Sequence, residues 1–85
     1  MPPWKLVLDE EAFQFFARCP AALRRRLLKA FETLRNDPYR QPDYEVRDST
    51  GRSLSVWAFK PFLIAYWLDS FVTEIRIVNI EPVRF

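Results

Sequence analysis

Histidine is absent from this 85-residue chain. With it go the side chain best suited to acid–base work near neutral pH and the commonest metal ligand. Cys19 is the one cysteine, which excludes an intrachain disulfide and a cysteine metal cluster. Glycine is equally scarce, with Gly51 alone. The longest apolar run, Leu54 to Leu68, is broken by Lys60-Pro61 and is too short to span a bilayer. The opening Met-Pro-Pro-Trp-Lys lacks the apolar core of a signal peptide, so a cytoplasmic protein without a membrane partner is expected. No stretch is poor enough in apolar residues to be disordered, and repeats, linkers and low-complexity segments are missing. One domain over residues 1–85, needing no cofactor or metal, is the expectation.

What is present is the composition of a globular protein: 49% hydrophobic, 28% charged, and 16% aromatic, enough rings to fill a compact core or cover a partner. A chain of this size buries only about 60–65% of its unfolded surface, so its stability is marginal. The net charge of +2 and pI near 9.0 permit contact with nucleic acid, but recognition of phosphates needs clustered charge. The cations group as Arg24-Arg25-Arg26 with Lys29 and Arg35, and more loosely as Arg40, Arg47, Arg52, Lys60, Arg76 and Arg84.

Trp4 to Leu8 alternates as a short strand. Asp9 offers a helix N-cap, and Glu10 and Glu11 place negative charge in the first turn of a helix reaching Arg18. Phe13, Phe16 and Ala17 form its expected apolar stripe. Cys19-Pro20 interrupts, and a second helix from about Pro20 to Asn36 carries Leu23, Leu27, Leu28, Phe31 and Leu34 at helical spacing. Asn36-Asp37-Pro38 stops it. Further strands are predicted over Tyr44–Arg47, Arg52–Phe59, Phe62–Leu68 and Thr73–Ile80, with turns at Ser49-Thr50-Gly51, Lys60-Pro61 and Asp69-Ser70. The order β-α-α-β-β-β-β predicts an α+β fold, a two-helix hairpin packed on one face of a twisted, mainly antiparallel sheet.

Side-chain parity divides that sheet. Phe62, Ile64, Tyr66 and Leu68 share one face, and Leu63, Ala65 and Trp67 the other. In the last strand Ile75 and Ile77 oppose Glu74, Arg76 and Val78. With the Ile64–Ile77 face on the helices, the open face carries Leu63, Ala65, Trp67, Arg76 and Val78, largely apolar around one arginine. Such a patch marks a protein-binding site, with Leu63, Trp67 and Val78 as its contacts.

The chain resembles the RelE/ParE superfamily of toxins from type II toxin–antitoxin systems. The likeness rests on the element order, on the helix phrase from Pro20 to Pro38 with its Arg24-Arg25-Arg26, and on the sheet phrase Gly51-Arg52…Phe62-Leu-Ile-Ala-Tyr66…Asp69 followed by Ile75 to Ile80. It implies a RelE-like fold and a co-expressed antitoxin whose C-terminal segment wraps the toxin. RelE-like members cleave mRNA on the ribosome; ParE-like members inhibit DNA gyrase and are not enzymes. The leading expectation is a ribosome-dependent mRNA interferase, with Arg52, Lys60, Arg76 and Arg84 as its cations. The alternatives are a gyrase inhibitor, or a toxin-fold protein without activity that persists as a binding module or homodimer.

RNA cleavage by the 2′-hydroxyl needs a base, cations at phosphorus and an acid for the leaving oxygen. The resemblance places an arginine three residues before Tyr66, where this chain has Leu63; a basic residue after the last strand is matched by Arg84. Each candidate also has a plainer reading. Arg52, Arg76 and Arg84 suit surface pairs with Glu45, Glu74 and Glu81, and the Arg24–Arg26 face suits solvent. Tyr66 fits the core by its parity, Trp57 and Trp67 fit core or partner contact as well as base stacking, and Cys19 has no activating base.

Overall fold

A computed structural model describes residues 4–83. The elements run β1 (Lys5–Leu8), α1 (Glu10–Arg18), α2 (Ala21–Asn36), β2 (Tyr44–Arg47), β3 (Ser53–Phe59), β4 (Phe62–Asp69) and β5 (Glu74–Pro82). They build the expected α+β fold. The five strands lie in the order β1-β5-β4-β3-β2, so the first strand sits beside the last. That contact is parallel, Leu6 opposite Ile75 and Leu8 opposite Ile77, while the other pairings are antiparallel.

Both helices cover one face of the sheet. Ile64, Ile75 and Ile77 are fully buried there, with Phe62, Tyr66 and Ile80 nearly so. From the helices come Ala12, Leu27, Ala30, Phe31 and Leu34. The apolar stripe of α1 differs from the expected one. Ala12, Phe15, Phe16 and Cys19 face the core, whereas Phe13 is 56% exposed and Ala17 lies outside. On α2, Leu28 likewise faces solvent and Ala30 takes the buried place. Small residues fit where the helices approach the sheet closely.

The arginines of α2 tie its rim to the rest of the fold. Arg24 donates to the Cys19 carbonyl, Arg26 Nε to the Lys60 carbonyl at 3.0 Å, and Arg35 Nε to the Trp4 carbonyl at 3.3 Å. Arg26 also lies over the Phe59 ring, 4.8 Å from its centroid. Much of the basic helix face is thus engaged in structure, while Arg25 and Lys29 remain exposed.

Asp9 stands at the N-cap of α1, but its carboxylate makes no cap hydrogen bond. It turns instead to Arg76. Before β3 the chain reverses through Gly51, whose φ of +86° is the left-handed region a glycine enters without steric cost. Asp48 Oδ1 closes this turn, accepting from the Thr50 amide at 2.9 Å, the Thr50 hydroxyl at 2.6 Å and the Arg52 amide at 2.9 Å.

β4 and β5 are not in simple register. Ala65 lies opposite Asn79 and Tyr66 opposite Ile77, which leaves Val78 as the extra residue of a β-bulge. The bulge reverses the parity of the end of β5. Ile80, three residues beyond Ile77, therefore returns to the core, and Asn79 and Glu81 turn to the open face.

Candidate partner-binding face

The open face is built from alternate residues of each strand. β2 supplies Tyr44 and Val46, β3 supplies Leu54 and Val56, and β4 supplies Leu63, Ala65 and Trp67, paired across the sheet as Tyr44↔Val56, Val46↔Leu54, Val56↔Ala65 and Trp67↔Arg76. Tyr44, Val46, Leu54, Val56, Leu63 and Ala65 line a groove of about 200 Å³, closed at one end by Asn79 and Glu81. Leu54 and Val56 are only 5% exposed although no helix covers them. Neither belongs to the helix-covered core; both line the groove. Asn79 Nδ2 donates to Glu81 Oε1 at 2.7 Å, so this end of the groove is polar and acidic.

Trp67 stands beside the groove, half-buried, with the Arg52 guanidinium 4.1 Å from its ring centroid. That stack adds about 0.5–1 kcal/mol at an exposed site and covers one face of the indole. Across the ladder Arg76 is held by two carboxylates, Glu74 at 3.0 Å and Asp9 at 3.5 Å. Arg52 and Arg76 thus flank Trp67, one stacked and one neutralised.

The expected cations do not all meet. Lys60 lies in the turn after β3, and Arg52 immediately precedes the same strand. Lying on either side of the seven-residue strand, they are eight steps and roughly 26 Å apart along the backbone. Arg84 lies outside the described residues. Leu63 and Trp67 are on the open face as parity predicts, but Val78 is the bulge residue and lines neither the groove nor the core cluster. The expected pairing of Arg76 with Glu74 is present. Arg52 instead stacks on Trp67, and Glu45 is not its partner in any ion pair among the described residues.

Tyr66 is 2% exposed and part of the core. Burial raises the pKa of its phenol, opposed by the nearby Arg40 charge. Trp57 is also core, its ring capped by Arg40 at 4.1 Å. Cys19 is buried and unpaired. Among the described residues no acidic or thiol cluster has the makings of a metal site, and no helix is long and apolar enough to cross a membrane.

Sequence reading missed Tyr44, Val46, Leu54 and Val56 as members of this face. The signal for β3 was ambiguous, because Leu54 and Val56 on one side oppose Trp57 and Phe59 on the other, and both sets are apolar. The spacing Ile75, Ile77, Ile80 held the trace of the bulge.

No family model matches the chain, and no curated protein does. Solved structures do. A chain of the RelBE2 toxin–antitoxin complex of Mycobacterium tuberculosis superposes with a TM-score of 0.76 at 16% identity, covering 94% of this chain and 98% of that one. A chain of the archaeal RelE–RelB complex of Pyrococcus horikoshii OT3 gives 0.73 at 14% identity, over 94% of each. The isolated RelE toxin of Escherichia coli gives 0.69 at 13% identity, over 96% of this chain and 86% of that one. The chain therefore has the RelE fold, in which strand and helix order agree throughout.

Proposed function

We propose that this chain is the toxin half of a type II toxin–antitoxin pair, and that its open sheet face takes the antitoxin. The observation that carries this reading is the apolar groove beside Trp67, an open patch on a sheet whose opposite face packs on the helices along β4 and β5. Likeness of fold to chains solved in RelE–RelB complexes supports it. Growth arrest on expression, relieved by co-expressing the product of the adjacent reading frame, tests the pair. No arrest, or arrest without relief, speaks against it.

Two readings of the target follow. In the first, the chain is a ribosome-dependent mRNA interferase. Arg52 is its best-placed cation, exposed beside Trp67, and the ribosome supplies the positioning that these residues lack. Arginine stabilises charge at phosphorus but is too weak an acid to exchange the protons. Toe-printing of translating ribosomes with purified protein tests this; toxicity without A-site cleavage refutes it. The second reading is a toxin that binds DNA gyrase without catalysis. It is favoured by the neutralised state of Arg76 and by Leu63, an apolar residue on the face where a nuclease needs charge. A supercoiling assay unaffected by excess protein eliminates it.

A further inference from the structure

β2 ends the sheet order, so one side of it has no neighbouring strand among the described residues. All four of its residues, Tyr44-Glu45-Val46-Arg47, are exposed. The direction of its free hydrogen-bonding groups follows from the ladder with β3. Asp48 N–H donates to the Arg52 carbonyl at 2.9 Å, one step beyond the pairing of Arg47 with Ser53. In an antiparallel ladder alternate residues turn N–H and C=O to the same side. Tyr44, Val46 and Asp48 therefore address β3, and Glu45 and Arg47 turn their amides and carbonyls outward.

Those outward residues carry opposite charges at either side of Val46. We propose that β2 pairs antiparallel with β2 of a second copy about a two-fold axis through Val46. In that register Glu45 faces Arg47 of the second copy and Arg47 faces its Glu45. Each of these is a hydrogen-bonded pair exchanging both backbone bonds, and each joins opposite charges. Val46 meets its own counterpart as the non-hydrogen-bonded pair, where side chains approach most closely. The sequence Glu45-Val46-Arg47 is self-complementary in charge, hydrogen bonding and apolar contact at once. A register shifted by one residue would set Glu45 against Val46 and lose the charge pairs.

The axis stands perpendicular to the sheet, so two five-stranded sheets become one continuous sheet with both open faces on the same side. Tyr44 and Val46, 47% and 40% exposed, gain apolar neighbours, and the grooves they line adjoin across the axis. The pairing leaves Trp67 accessible and does not depend on the toxin reading. Four residues make a small contact, so the dimer is weak and concentration-dependent.

A short charged edge is also how monomers keep apart, so the test turns on the sign of the charges. Sedimentation equilibrium of the intact chain from micromolar to millimolar concentration is the readout. The wild type is expected to move toward twice its monomer mass. E45R places like charges in both pairs and should weaken association about tenfold or more, as should R47E. An equimolar mixture of E45R and R47E should associate again, because the two edges are then complementary. The double variant E45R/R47E should self-associate as the wild type does, with circular dichroism melts establishing that each is folded. A wild type that stays monomeric, a dimer that the single variants leave intact, or a mixture that fails to associate overturns the proposal.

Discussion

Leu63 and Ile64 are neighbours in the chain and opposites in the fold. Ile64 is fully buried beneath the helices, while Leu63 borders the open groove. The two faces of β4 are built from similar residue types, yet one closes a core and the other stays open. The helix-covered face is apolar along β4 and β5, and its partners there are supplied in sequence by α1 and α2. The open face mixes an apolar centre, in which Leu54 and Val56 are shielded by their neighbours while Tyr44 and Val46 stay exposed, with Arg52, Arg76, Glu74 and Glu81 around it.

The sharpest way to break this comparison is truncation at these neighbours. Ile64→Ala should cost about 3 kcal/mol by urea unfolding, because it leaves a cavity under the helices. Leu63→Ala should cost less than about 1.5 kcal/mol, since part of that side chain is already in water. Equal losses would mean that the open face is a second core. A smaller effect is expected at Arg76, whose two carboxylate partners are partly exposed. Arg76→Gln should lower stability by less than about 1 kcal/mol, and most of that should vanish in molar salt.

The faces also differ in their response to pH. Burial raises the Tyr66 pKa above its ordinary 10.0, so the folded state resists ionisation that the unfolded chain accepts. Stability from this group is full below pH 10.0 and declines as the pH rises above it. Tyr66→Phe should flatten that alkaline decline in urea midpoints. The smallest effect is on the open side, at the turn leading into β3. The Thr50 hydroxyl, together with the Thr50 and Arg52 amides, holds Asp48 below its ordinary 3.8. Its stabilisation is present above pH 3.8 and is lost as the pH falls below it, so Asp48→Ala should lower stability slightly at neutral pH and make the acid limb shallower.

The element order and the boundaries of most elements were legible because period 3.6 and period 2 do not mimic each other over these lengths. The β4 parity was legible for the same reason, and it located Leu63 and Trp67 on the open face. Three features were not. The stripe of α1 has two apolar options, and the larger ring at Phe13 was a poorer guide than the closeness of approach that selects Ala12. The bulge at Val78 is a register property of two strands and is not visible in either alone. The union of β1 with β5 joins residues about seventy positions apart, and no local pattern encodes it. The candidate site was half legible. Its β4 residues were found, while Leu54, Val56, Tyr44 and Val46 required the sheet order.

The most direct test of the open face as a partner surface is calorimetric titration of the chain, and of Trp67→Glu, with the protein encoded by the adjacent reading frame. Trp67 lies beside the groove, where a buried aromatic anchor carries much of a binding energy, and a charge there should weaken binding roughly thirtyfold or more while leaving the urea unfolding transition cooperative. Unchanged affinity with a folded Trp67→Glu variant would contradict the assignment of this face to the partner.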